Sequence, residues 1–110
     1  SLAIKNNIKY LWYAAHSGDH EIYPDCRPEF IKKMSAVLEI CDYHKIKFEA
    51  PFQSFSKSEI VKTGLAMGLD YSKAWTCYEG KEKPCGKCSA CLERVLSFKA
   101  NNTKDPLNAI

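Results

Sequence analysis

Two β-prone apolar runs flanking an amphipathic helical stripe, two further helical segments, and the pattern Cys77-x7-Cys85-x2-Cys88-x2-Cys91 together predict an α/β fold. The expected architecture is part of an open parallel sheet followed by a C-terminal helical zinc-binding region. The order strand, helix, strand argues for parallel pairing, because parallel neighbours need a crossover and a helix is its usual form. The four cysteines argue for the metal. A C-x2-C step brings two sulfurs of one turn to the same ion, and the longer x7 excursion returns another. Four thiolates leave no coordination position for water, so such a zinc ion is structural and the chemistry lies elsewhere.

Ser1 to Asn7 is compatible with a short helix, and it leads directly into Ile8 to Ala15, an apolar stretch that reads as a buried strand ended by His16-Ser17-Gly18-Asp19. So short a helix before a central-type strand is what remains of a β-α-β unit whose first half is missing, and the chain is expected to be partial. Residues 28–43 carry apolar side chains at Phe30, Ile31, Met34, Val37, Leu38 and Cys41, with Pro28 in the first turn, as an amphipathic helix requires. Cys41 falls on the stripe and is expected in the core. Ile46 to Phe52 reads as a second strand stopped by Pro51. Ser56-Lys57-Ser58-Glu59 has the form of a capping box, opening a helix that runs to Met67 and stops at Gly68. Beyond Tyr71 the chain is irregular through the cysteines. A last helix, from about Ser89 to Lys99, is expected to turn Leu92, Val95 and Leu96 inward, with a frayed tail after Asn101.

The bulk composition excludes several classes. The 110 residues make one modest core, and 45% hydrophobic with 26% charged residues is ordinary for a globular domain. A net charge of +3 is too mild to imply nucleic acid. No apolar run reaches the roughly 20 residues that span a bilayer and no signal-peptide pattern opens the chain, so the reading is cytoplasmic with no membrane partner. Six cysteines would allow three disulfides, but their ligand-like clustering favours reduced thiols.

A second constellation lies between the first strand and the first long helix, Asp19-His20-Glu21-Ile22-Tyr23-Pro24-Asp25-Cys26-Arg27-Pro28. Open α/β sheets bind ligands beyond the carboxyl ends of their strands, and this loop offers donors and acceptors of both signs, suited to a polar planar heterocycle. A solvated loop with Asp25 as a helix cap is the competing explanation.

The stretches His16 to Phe30, Lys57-Ser58-Glu59-Ile60-Val61, Trp75-Thr76-Cys77-Tyr78 and Cys85-Gly86-Lys87-Cys88-Ser89-Ala90-Cys91 together resemble the C-terminal half of the 7-cyano-7-deazaguanine synthase family over nearly the whole chain. The resemblance implies an adenine-nucleotide α-hydrolase-like (Rossmann-like) fold and a carbon–nitrogen ligase of queuosine biosynthesis. Such an enzyme converts 7-carboxy-7-deazaguanine and ammonia to the nitrile with ATP as co-substrate. It divides the chain into residues 1–70, the C-terminal part of a nucleotide-binding-type domain, and residues 71–110, the four-cysteine zinc-binding region with its terminal helix. The family's Ser-Gly-Gly-x-Asp-Ser pyrophosphate loop has no counterpart here, so the chain is expected to be a C-terminal fragment, a split-gene product whose ATP-binding half is a separate chain, or a degenerate relative. Full-length relatives resemble homodimers, which makes self-association a further expectation.

Within the matched loop Asp19, His20, Tyr23, Asp25 and Arg27 are assigned to substrate. Arg27 is suited to pair with the carboxylate, and Asp19 or Asp25 to accept from the base's amidine edge. No catalytic residue is assigned. His16 is either a structural histidine or a site residue, Cys26 either an activated or an inert thiol, and Lys57 either phosphate-facing or solvated. Trp12 and Trp75 read as packing residues; His44, Lys45 and Lys47 read as surface. The alternative is a zinc-stapled interaction or nucleic-acid-binding module without catalytic activity, with Lys81, Lys83, Lys87 and Arg94 on phosphates. Glu79, Glu82 and Glu93 interleave with these cations and dilute their field.

Overall fold

The computed structural model describes residues 1–107 and divides the chain into two compact units, one reaching from Ser1 to Ser56 and the other starting at Lys57. In the first, α1 (Leu2–Lys5) precedes β1 (Tyr10–Trp12), then come α2 (Pro28–Ile40) and β2 (Lys47–Glu49). The strands pair in parallel as predicted, with Tyr10 opposite Lys47, Leu11 opposite Phe48 and Trp12 opposite Glu49. Amides beyond both ends extend the ladder, Lys47 N–H donating to Lys9 O at 2.8 Å and Tyr13 N–H to Glu49 O at 2.8 Å. Cross-strand side chains reinforce the register: Trp12 Nε1 donates to Glu49 at 3.2 Å, and the Lys47 ammonium sits 5.7 Å from the Tyr10 ring centre.

Helix α2 packs on β2, and Tyr13 joins the layers with its ring 5.6 Å from Phe48 and 6.1 Å from Phe30. Ala15, Ile31 and Ile46 form the buried apolar core here. The first strand differs from its expectation. It is shorter than Ile8 to Ala15, and all three of its residues are exposed, Trp12 by 70%. Among the described residues it pairs only with β2, so its other edge has no strand beside it. Trp12 and half-exposed Trp75 are therefore not core residues. Cys41 is not either: it is exposed, as is Val37 one turn earlier on the same stripe, and its thiol donates to Leu38 O at 3.5 Å. His44, read as surface, has its Nε2 3.1 Å from Ile8 O and is half-buried.

The second unit holds α3 (Lys57–Ala66) and α4 (Ser89–Ala100), which pack on each other. Helix α3 thus groups with the cysteine region and not with the strands that precede it. Its start at Lys57 agrees with Ser56 as the cap, and its end is a Schellman turn at Gly68, where φ is +74°. There Leu69 N–H reaches Gly64 O at 2.9 Å and Gly68 N–H reaches Leu65 O at 3.0 Å. Asn7 closes α1 and Asn102 closes α4 in the same way, both at φ +51°.

The inward face of α4 is not the predicted one. Leu96 is 65% exposed, Leu92 about half so, while Cys91, Arg94, Ser97 and Phe98 are buried. A ligand cysteine and an arginine occupy the inner stripe, and hydrophobic periodicity does not weigh such residues. The tail is not frayed over 102–107 either, and 108–110 lie outside the described residues. After the reversal at Asn102, Asp105 meets Arg94 through paired 2.8 Å bonds, to Nε and to Nη2, with both side chains buried. Burial opposes the charge of Asp105, yet the Arg94 hydrogen bonds, the Leu107 amide and the Arg94 charge hold its carboxyl below the usual range.

Gly64 is where α3 admits Tyr71. A Cβ there would collide with the Tyr71 hydroxyl, which lies 3.3 Å from Ile60 O, and the Tyr71 ring is backed by Phe98 at 5.2 Å, edge-on. Gly64→Ala is expected to lower stability by about 1–2 kcal/mol, since overpacking outweighs the roughly 1 kcal/mol of helix propensity that alanine adds. Tyr71→Phe in the same chain should recover part of that loss, so the double variant is less than additive in urea unfolding.

Candidate functional site

The loop after β1 is a built structure and not a slack connection. His16, buried, caps a 3-10 turn over Ser17–Asp19: its Nδ1 accepts the Gly18 N–H at 3.2 Å, and its Nε2 lies 3.0 Å from Asp19 Oδ2. Ser17 ties the loop to the segment after β2, its N–H and its hydroxyl both donating to Phe55 O at 2.9 and 2.8 Å. Asp19 O then accepts from Tyr23 N–H at 2.8 Å, and a second 3-10 turn, Pro24–Cys26, feeds into α2.

Arg27 closes this loop from behind. Its Nε donates to His20 O at 2.7 Å and its Nη2 lies 3.5 Å from Glu21 O, so the Nε–Nη2 fork is turned on the loop's own carbonyls. Asp25 accepts from the Tyr13 hydroxyl at 3.2 Å. Burial first, and then Asp25, push the Tyr13 hydroxyl above its ordinary range, so it keeps the proton it donates. Cys26 is also raised, by burial and then by the charges of Asp25 and Asp19, which makes it the inert thiol of the two readings. The Nε2 of His20 is buried with no hydrogen-bond partner among the described residues. Pro24, Arg27, Glu29, Phe30 and Lys33 line an open recess of about 250 Å³.

Asp19, His20, Tyr23, Asp25 and Arg27 thus fall in one loop at the carboxyl end of β1. Tyr13, Phe30 and Lys33 join them, although the sequence alone does not single them out as site residues. Tyr13 was findable as the residue leaving the strand toward the loop, and Phe30 as the first apolar position of α2; Lys33 carried no signal.

The second unit brings the sulfurs of Cys77, Cys85, Cys88 and Cys91 within 4.8 Å of one another, a group that could hold a metal ion. The backbone is arranged to donate to them. Cys77 Sγ accepts from Cys85 N–H at 3.3 Å and Glu79 N–H at 3.4 Å, and Cys85 Sγ accepts from Cys88 N–H at 3.3 Å. Gly86 supplies the turn between Cys85 and Cys88 with a φ of +71°. The Cys85 amide, with that of Glu79 in support, holds the Cys77 thiol below its ordinary range. Backbone amides, Tyr78 first, bring Cys88 down to about 6. Burial pushes Cys91 up to about 12, so this is the thiol that most needs a cation to release its proton.

Two of the four cations around the cysteines are engaged. Arg94, counted in the sequence reading among those that would touch phosphate, is buried on Asp105, and Lys81 lies 3.5 Å from Glu79. Lys57 is half-buried, 3.5 Å from Glu93. No helix among the described residues is long and apolar enough to cross a membrane.

Comparison with known proteins adds the family. A model described as "Queuosine biosynthesis protein QueC" matches residues 1–102. The chain is 54% identical over 105 residues to a 7-cyano-7-deazaguanine synthase of Psychromonas ingrahamii, covering 96% of this chain and 48% of that protein. It is 50% identical over 105 residues to the synthase of Marinobacter nauticus, with the same coverage, and 47% identical over 107 residues to that of Methanoregula boonei, covering 97% and 49%. The chain spans about half the length of the curated relatives it matches, their C-terminal half.

The sulfur geometry predicts one tightly held metal ion per chain. Cys→Ser at position 77, 85, 88 or 91 should each reduce bound metal in elemental analysis of the purified protein, whereas Cys26→Ser and Cys41→Ser should leave it unchanged. Full metal content in Cys85→Ser or Cys88→Ser would remove the assignment.

Proposed function

Because the chain belongs to the queuosine biosynthesis protein QueC family, we propose that it is the C-terminal portion of a cytoplasmic ATP-dependent carbon–nitrogen ligase that makes 7-cyano-7-deazaguanine from 7-carboxy-7-deazaguanine and ammonia. In that reaction the carboxylate attacks the α-phosphorus of ATP and pyrophosphate leaves. Ammonia then displaces AMP from the acyl adenylate, giving the amide. A second ATP activates the amide oxygen, which departs with AMP as the nitrogen loses its protons to form the nitrile. Activation is needed because a carboxylate is a poor electrophile and its oxygen a poor leaving group.

The observation that carries this reading is the coincidence of the family match over residues 1–102 with a preorganised polar loop at the carboxyl end of a parallel strand, where open α/β sheets take their ligands. In this reading the loop recognises the deazaguanine. The unpartnered Nε2 of His20 would find a partner on the base, Asp19 and Asp25 would accept from its amidine edge, and Tyr23 would flank it. Arg27 acts on the carboxylate through the guanidinium edge that its two loop carbonyls leave over, at the recess it shares with Phe30. His16 and Tyr13 hold Asp19 and Asp25 in place.

The metal is best taken as zinc. A tetrahedral site with Zn–S near 2.3 Å places its sulfurs about 3.8 Å apart, within reach of a group already inside 4.8 Å. Four thiolates close the coordination sphere, so the ion supplies folding energy and no reacting ligand. The ATP site belongs to the half of the relatives' length that this chain does not span. Supporting that division, β1 keeps an open edge on which Tyr10, Leu11 and Trp12 are exposed, a surface fit to receive further sheet. The same surface is where a homodimer or a separate nucleotide-binding chain would have to be weighed against the covalently continuous half.

Two outcomes test the reading. The chain by itself is expected to form no nitrile from 7-carboxy-7-deazaguanine, ATP and ammonia, whereas fusion behind the N-terminal half of the Psychromonas relative should restore turnover, followed by liquid chromatography of the product. In that fusion Asp25→Ala and Arg27→Ala should each raise the calorimetric Kd for 7-carboxy-7-deazaguanine by roughly tenfold to a hundredfold, the range for losing a charge-assisted hydrogen bond. Unchanged affinity in both would reduce the loop to a helix entry.

A further inference from the structure

We propose that Arg94 is the positioning residue of the metal centre, the group that delivers Cys77 to the other three sulfurs. The inference rests on the reading of the cysteine group as a metal site. Cys85, Cys88 and Cys91 lie within one tight loop and the first turn of α4, so local backbone geometry alone brings them together. Cys77 arrives from across the x7 excursion, beyond the short 3-10 turn Tyr71–Lys73 and at the end of a stretch, 74–77, that has no helix or strand of its own. The Cys85 and Glu79 amides meet its sulfur, and the backbone that leads to it needs an anchor of its own.

Arg94 supplies that anchor from the helix that carries Cys91, one turn further on. Its side chain is 4% exposed; Nη2 donates to Tyr71 O at 3.0 Å and Nη1 donates to Ala74 O. Asp105 takes the remaining edge through Nε and Nη2, and the guanidinium lies 5.2 Å from the Phe98 ring centre. One planar group therefore ties α4, the approach to Cys77 and the C-terminal tail. The restraint continues to the ligand itself, since Trp75 Nε1 donates to Cys77 O at 2.9 Å. A lysine cannot reproduce this. It has the charge but not the fork that serves two carbonyls and a carboxylate at once.

The geometry predicts a selective defect and not a general one. With Arg94 replaced, the loop and helix start still present three sulfurs, while Cys77 loses its guide and must be held against the entropy of a free segment. The test uses the whole chain loaded with zinc, pulsed with N-ethylmaleimide and mapped by mass spectrometry, and a parallel sample loaded with cobalt(II) for its visible d–d spectrum. Cys41, exposed in every variant, is the internal standard for labelling.

In the wild type all four ligands should be protected; labelling of all four there would remove the metal site itself, and the proposal with it. In Arg94→Lys, Cys77 should label at least about tenfold faster than in the wild type while Cys85, Cys88 and Cys91 stay protected, and the cobalt bands should weaken and shift toward a three-sulfur site. Asp105→Asn, which leaves the carbonyl bonds but not the full charge pairing, should give the same order with a smaller change. Wild-type protection of Cys77 in Arg94→Lys would overturn the proposal. So would equal labelling of all four ligands in both Arg94→Lys and Asp105→Asn, because Arg94 would then hold the unit and not the ligand.

Discussion

Four sulfurs within 4.8 Å of one another, a group that could hold a metal ion, set the terms for the second unit, because Cys77 and Cys91 are also two of its few buried apolar residues. Their burial is what makes the centre an unequal set of thiols. Backbone amides lower Cys88 and Cys77 toward the thiolate, whereas burial raises Cys91. A helix start, a left-handed glycine and a reversed tail are arranged around that group. Hydrophobic burial supplies less here than in a domain with a conventional core, and Val61 and Phe98 carry most of what remains.

The first unit solves a different problem with polar contacts. A loop rich in charge stands at the end of β1, and its own members satisfy one another: His16 with Asp19, Tyr13 with Asp25, Arg27 with the carbonyls of His20 and Glu21. Such internal pairing fixes the shape of the loop, which in the proposed reading reduces the entropy lost on binding. It also directs the reading of individual residues. Arg27 commits its Nε–Nη2 edge to architecture, whereas the buried Nε2 of His20 has no hydrogen-bond partner among the described residues.

The sheet shows where burial depends on more than local sequence. Tyr10, Leu11 and Trp12 have the composition of a buried strand, yet they have one strand neighbour among the described residues and remain exposed. Composition states what a segment is able to bury; only neighbours decide whether it does so. Val37 and Cys41 make the same point on α2, where the end of the apolar stripe is exposed.

What was determined by the sequence alone is everything that depends on spacing or on a single residue's backbone preference. The strand–helix–strand order, the entry of α2 at Pro28, the stop of α3 at Gly68 and the four-cysteine group are of this kind, because chain geometry over a few residues dictates each. The location of the Asp19 to Arg27 loop was legible too, since it follows from where a strand ends. The tertiary structure decided which groups face each other across many residues. Arg94 looked like one more surface cation until Tyr71, Ala74 and Asp105 were brought around it, and the inner face of α4 turned out to be Cys91, Arg94 and Phe98 in place of the leucines. The physical reason is that a long polar side chain takes its role from partners distant in sequence, and no periodicity in its own helix records them.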